Sequence, residues 1–172
     1  MDVIRKGAGD MKVAPNLTDY AQTRAAFSWA AVPDLCAAMG DGGCNIAYAA
    51  VDRHAEGAGA DRTALRFIAD TPELTTHDVS YAELGMLTRR FTNVLRGLGI
   101  GKGDRVFVMM GRVPELYVSI LGALRNGSVV SPLFSAFGPE PIATRVNIGS
   151  ADVLVTTAAI YKRKIEIGRA HV

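Results

Sequence analysis

The sequence predicts an α/β fold: a mostly parallel sheet with flanking helices, preceded by an N-terminal helical segment. Three observations carry that reading. Short, almost fully apolar runs recur at "DRVFVMM", "GSVVSPLF" and "ADVLVTT", the texture of strands covered on both faces. Amphipathic stretches of helical spacing separate them, which calls for crossover connections and hence parallel pairing. Glycine and proline stand at the joints, with Gly99 where a helix should stop and Pro114 and Pro139 where helices should start.

Taken in order, residues 1–12 read as a disordered N-terminus. "TDYAQTRAAFSWAAV" places Tyr20, Phe27 and Trp29 among good helix formers. Pro33 and the run Gly40, Gly42, Gly43 bracket a second short helix. "NIAYAAVDRHAEG" makes a third, with Asn45 able to cap it and Gly57 able to stop it. These helices define a segment over 13–62, and an α/β part follows over 63–165.

Within the α/β part, "TALRFIAD" and "HDVSY" read as strands. "SYAELGMLTRRFTNVLRGLG" is the clearest helix. Ser80 and Glu83 form a capping-box signature, the hydroxyl taking the N3 amide and the carboxylate returning to the N-cap amide. Leu84, Leu87, Phe91, Leu95 and Leu98 fall on one face, and Gly99 suits a left-handed C-terminal cap. After the "DRVFVMM" strand, a helix with Pro114 near its first position and Glu115 in its first turn runs through Leu116, Ile120, Leu121 and Leu124. "GSVVSPLF", the short helix "PEPIATRVNIG" and the strand "ADVLVTT" complete the alternation.

Composition narrows the function. At 172 residues, 49% hydrophobic and 21% charged, the chain reads as globular with a real core. A net charge of +2 and no basic run longer than Lys162-Arg163-Lys164 give no nucleic-acid footprint. "MDVIRKGAGDMK" lacks the apolar centre of a secretory signal, and apolar windows are broken by Gly, Pro or Arg before 18 residues, so no membrane span and a cytoplasmic location are expected. Cys36 and Cys44 match neither a metal motif nor a disulfide framework and read as ordinary thiols in a reducing compartment.

Several motifs invite chemistry and fail on context. "GLGIGKG" runs from helix to strand, whereas a dinucleotide loop runs from strand to helix. Lys102 is followed by Gly103, so a Walker loop fails too. His54, His77 and His171 share no metal-ligand spacing, and no G-x-S-x-G elbow occurs. No catalytic or metal-binding residue is therefore assigned. Asp52-Arg53-His54 reads as a structural polar cluster. Arg112-Val113-Pro114-Glu115 and "PLFSAFGPEP" both follow strands, on the edge where open α/β sheets bind ligands. Phe134 and Phe137 bracket the small residues Ser135 and Ala136, which either admits a flat or elongated ligand to the backbone or anchors a loop on two buried rings.

The run "GDRVFVMMGRVPELYVSILGALRNGSVVSPLFSAF" resembles the N-terminal region of adenylate-forming acyl-CoA ligases, with their G-D-R-V strand, P-E helix, helix-to-strand turn and F-x-x-F loop. Within that superfamily it is most similar to AMP-forming acetyl-CoA synthetases of the shorter bacterial and archaeal type. "NLTDYAQTRAAFSWAAV" resembles their N-L-x-x-Y…F-x-W segment, and "NIAYAAVDRHAEG" their N-x-A-Y-x-x-x-D-R-H segment. The resemblance covers about residues 16–165 and implies the N-terminal part of the large α/β domain of adenylate-forming enzymes.

The resemblance implies a two-step ligase. Acetate or another short carboxylate and MgATP give an acyl-adenylate and pyrophosphate, and the thiol of CoA then displaces AMP. It also implies that the T-S-G-T-T-G-x-P-K-G phosphate loop, the Y-G-x-T-E adenine motif and the C-terminal domain, none of which occurs in these 172 residues, would lie downstream. An inactive fragment that binds no cofactor tightly and is poorly soluble alone is the expectation. On the CoA side, the family's F-G-G-F loop corresponds to Phe134-Ser135-Ala136-Phe137, with both glycines replaced, and Arg163 matches the first arginine of a pair that contacts the nucleotide end of CoA. The alternatives are a propionyl- or medium-chain acyl-CoA ligase and a small non-catalytic α/β binding module. The last seven residues, "EIGRAHV", match the translation of a common sequencing-library adapter, so 166–172 is expected to be a non-native tail.

Overall fold

The computed structural model describes residues 7, 9, 12–15, 17–29 and 44–166. The second short helix expected between Pro33 and Gly43, together with Cys36, lies outside the described residues, as do Arg169 and His171. The chain divides into two units, Met1–Leu35 and Cys36–Val172.

In the first unit, helix α1 (Tyr20–Ala26) starts at Asp19, whose carboxylate accepts the Gln22 amide at 2.9 Å. It stops sooner than the sequence predicts, because Phe27 turns extended (ψ 130°). Phe27 and Trp29 then meet edge to face with ring centroids 5.1 Å apart.

In the second unit, the side-chain oxygen of Asn45 accepts the amides of Ala47 and Tyr48. The helix it caps, α2, is a π-helical turn (Tyr48–Asp52) passing directly into Arg53–Ala55, in place of the expected α-helix. The wider turn leaves the neighbours Val51 and Asp52 both buried, Val51 in an apolar cluster with Val79 and Leu84. Gly57, at φ 84°, ends the segment as expected.

Strands β1 (Thr63–Ile68) and β2 (Thr76–Ser80) form an antiparallel hairpin, not part of the parallel sheet. The reason is local: only residues 69–75 join them, too few for a crossover helix. Arg66 and Asp78 face each other across the hairpin at 2.6 Å, and the Arg66 hydrogen bond holds the Asp78 carboxyl below the usual carboxylate range.

The elements α3 (Tyr81–Gly97), β3 (Arg105–Met109), α4 (Pro114–Arg125), β4 (Val129–Pro132), α5 (Pro139–Ile148) and β5 (Val153–Thr156) alternate as predicted; α6, in which Ala158–Ile160 continues as a π-helical stretch Tyr161–Glu166, follows where the sequence signalled no helix. β3, β4 and β5 form a parallel sheet in the order β4-β3-β5. Alternation along β3 builds a core on each face. Val106 and Val108 pack with Leu95 and Ala123 from α3 and α4, while Phe107 and Met109 pack with Ile142 and Ile160 from α5 and α6.

The Ser80 hydroxyl accepts the Glu83 amide at 3.2 Å, and Gly99 takes φ 80°. Leu98 departs from the expected apolar face: as the C-cap of α3 it is 66% exposed. Where α3 crosses α4, Gly122 lets the helices touch. A Cβ there would lie 2.9 Å from Phe91 Cδ1 and 3.0 Å from the Thr88 carbonyl oxygen. The buried Thr92 hydroxyl sits at the same crossing, 2.8 Å from the Gly122 carbonyl and 3.0 Å from that of Thr88.

Candidate functional site

The C-terminal ends of β3, β4 and β5 lie along one edge of the sheet, because the strands are parallel and in register. Open α/β sheets bind ligands on that edge, where helices leave toward opposite faces. Here α4 follows β3 and contributes Ala123 to one core, whereas α6 follows β5 and contributes Ile160 to the other. The Thr156 hydroxyl donates to the Met109 carbonyl at 2.7 Å and ties the two strand ends together.

Beyond β4, the Leu133 amide extends the ladder to the Val108 carbonyl at 2.8 Å, and the chain then turns through residues 134–137. The turn closes with the Phe137 amide on the Phe134 carbonyl at 3.1 Å. The two phenyl rings meet edge to face at 5.7 Å, but they are not equivalent. Phe137 is half-buried against the core and carries the Arg145 guanidinium over its face at 4.2 Å, whereas Phe134 is 65% exposed. The sequence left open whether both rings anchor the loop; one does and the other faces solvent. The rings and Arg145 border a cleft of about 480 Å³ floored by Phe107 and Leu133.

Helix α6 completes the site. The Thr157 hydroxyl accepts the Ile160 amide at 3.3 Å, and Ile160 is buried beneath the sheet face. From this base Lys164 reaches back to the loop, its Nζ donating to the carbonyls of Ser135 at 2.6 Å and Phe137 at 3.0 Å. Arg163, the residue singled out in the sequence, lies next to it on α6 and is exposed; Ser135 is half-buried and Ala136 exposed. The structure thus brings the 134–137 loop and α6 together, with Lys164 making the connection. Arg112, after β3, is exposed at the same edge.

A second polar cluster involves Asp52. The carboxylate is buried and accepts from Arg89 at 3.2 Å and from Arg125, whose side chains are 46% and 21% exposed. Asp52 is therefore structural, as its sequence context predicts, with partners 37 and 73 residues away. Arg53 donates from Nε to His54 Nε2 at 3.1 Å, and the His54 ring lies 5.0 Å from that of Tyr81. Among the described residues, no three His, Cys, Asp or Glu side chains converge to hold a metal ion, and no helix is long and apolar enough to cross a membrane.

Lys164, Arg145 and Thr156 were not visible as site residues in the sequence. Each acts on a residue on another element, and no local motif marks them.

Comparison with known proteins gives consistent results. Residues 51–171 match the family model described as AMP-binding enzyme. The acetyl-coenzyme A synthetase of Bacillus subtilis (strain 168) is 37% identical over 149 residues, covering 86% of this chain and 26% of that protein. The acetyl-coenzyme A synthetase of Methylobacterium radiotolerans is 38% identical over 116 residues, covering 67% of this chain and 18% of that protein. The crystal structure of Brucella canis acyl-CoA synthetase matches with a TM-score of 0.74 at 35% identity, covering 86% of this chain and 26% of that one. The chain thus spans between 18% and 26% of the length of these three relatives.

Proposed function

The chain belongs to the AMP-binding enzyme family, and from that membership we propose that it is the N-terminal part of an acetate–CoA ligase, which converts carboxylate, ATP and CoA to acyl-CoA, AMP and pyrophosphate. The observation that carries the reading is positional. The family match over 51–171 takes in all three parallel strand ends, the 134–137 loop and α6, so the ligand-binding edge falls inside the shared region.

In this reading the 134–137 loop and α6 form part of the CoA side. The residues present fit such a ligand: exposed Phe134 offers a planar apolar surface, and Lys164, Arg163 and Arg145 supply positive charge around it. Phe134, Ser135, Ala136 and Arg163 are the proposed contacts. Mg²⁺ and the ATP phosphates are assigned to no residue of this chain, because no metal-ligating cluster exists among the described residues and no T-S-G-T-T-G-x-P-K-G run occurs in the sequence. When bound, ATP supplies the adenylate leaving group. What these residues do is orient CoA and hold its charge in place. The chain alone is proposed to be inactive, the parent to work in the cytoplasm on small molecules, and the helical segment 13–62 to precede a partial α/β domain over 63–165.

The test is acetate-dependent ATP–pyrophosphate exchange and CoA-dependent AMP release, measured on the 172-residue chain and on the product of its reading frame continued past Ile165. The continued protein is expected to do both and the short chain neither. A faster reaction with propionate or a medium-chain acid would favour the ligase alternative. Tight binding of CoA or ATP by the short chain, with no continuing frame, would favour the free-standing module.

A further inference from the structure

We propose that Lys164 is the positioning residue of the 134–137 loop: its ammonium fixes the backbone shape against which a ligand lies. The proposal rests on the CoA reading for the identity of that ligand, but the clamp itself rests on geometry alone.

Two carbonyls, of residues 135 and 137, converge on one nitrogen at 2.6 and 3.0 Å. The backbone between them must bend around the ammonium. Both bonds are charge-assisted and part-buried, so they are stronger than neutral ones and only weakly screened by salt. Among the described residues, the loop's other restraints act at Phe137: its amide bonds the Phe134 carbonyl, its ring lies against the core, and Arg145 covers its face. Among the described residues, Lys164 is what holds the Ser135 carbonyl.

The lysine is launched from a fixed base, since Ile160 is buried and Thr157 caps the turn before it. An ammonium carries three N–H donors, and the loop takes two. Lys164 thereby joins α6, which carries Arg163, to the loop as one unit, and does so across 27 and 29 residues of sequence.

Hydrogen–deuterium exchange read by mass spectrometry tests this on the 172-residue chain, with Lys164→Met and Lys164→Arg beside it. In Lys164→Met, peptides covering 133–138 should exchange about tenfold faster while β3 peptides stay unchanged. Lys164→Arg, which keeps the charge and the donors on a wider, planar head, should exchange more slowly at 133–138 than Lys164→Met. Unaltered exchange at 133–138 in Lys164→Met overturns the proposal. So does equal acceleration in β3, which would make Lys164 a support of the whole fold, and so does failure of arginine to restore protection. CoA added to the unmutated product of the reading frame continued past Ile165 checks the ligand separately. No added protection at 133–138, with the clamp intact, would sink the CoA assignment and leave the positioning role standing.

Discussion

Asp152 takes three hydrogen bonds from Arg105: one from the backbone amide at 2.8 Å and two from the guanidinium at 2.9 Å each. The pair stands where β3 and β5 begin, at the end of the sheet opposite the candidate site. One end of the sheet is closed by a bidentate ion pair, and the other is left to loops that can meet a ligand.

Arg105, first by its side-chain hydrogen bond and then by its amide, holds the Asp152 carboxyl below the usual carboxylate range. A carboxyl with a depressed folded-state value contributes stability that is fully present above its unfolded value, about pH 4, and is lost as pH falls through the folded value. Thermal melts between pH 5 and pH 2 should show a shallower acid limb for Asp152→Asn than for the parent chain. Asp78→Asn, at the Arg66 pair of the hairpin, should shift the limb in the same sense. Superimposable limbs would contradict both assignments.

The two arginines on Asp52 are unequal. Arg125 is the more buried, so Arg125→Met should cost about 3 kcal/mol, the order expected for breaking a buried pair. Arg89→Met should cost about 1 kcal/mol or less, because its side chain is nearly half exposed. Urea denaturation of the two variants gives the ranking directly, and the reverse order would show that Asp52 leans on Arg89.

Gly122→Ala should destabilise by about 1–3 kcal/mol, since the added methyl meets Phe91 and the Thr88 backbone inside van der Waals distance. The loss should be larger than for Gly97→Ala, where a Cβ meets nothing within 4 Å. Comparable denaturation midpoints for the two would mean that α3 and α4 separate more easily than their packing implies.

At the site, Phe134→Ala removes an exposed ring and should leave stability within about 0.5 kcal/mol of the parent. In the continued enzyme it should raise KM for CoA roughly fivefold, the scale of one lost aromatic contact. Arg163→Ala should raise the same constant while leaving that for ATP unaltered. A CoA constant unmoved by either change would remove the loop and α6 from the CoA side.

Much of this fold was legible because its signals are local. The apolar runs at 105–109 and 153–156, Ser80 three residues before Glu83, Pro114 at a first helical position and the left-handed Gly99 each depend on neighbours a few residues away. The misreadings arose where distant contacts decide. Leu98 has the right spacing for the core, yet the helix ends at it and its side chain is exposed. Tyr48–Asp52 is wound as a π-turn where Asp52 meets Arg89 and Arg125, which no local pattern announces. Arg163 was singled out through the family resemblance, and it lies exposed on α6. That its neighbour Lys164 holds the loop depends on how α6 is rotated, and rotation is set by Ile160 in the core.

Asn45 also has a second job. Its side-chain amide donates to the carbonyls of Leu124 at 3.1 Å and Arg125 at 3.4 Å, finishing the C-terminus of α4 from 79 residues away. The β3–β4 pairing, by contrast, closes over the distance from Arg105 to Val129. Closing the longer loop carries the larger entropic cost, so the clasp of Asn45 on α4 is expected to form after the strand–helix–strand unit it completes, which folding and unfolding rates of an Asn45 variant would test. Asn45→Ala should then speed unfolding and leave the folding rate unchanged, making this residue a latch on a structure assembled without it.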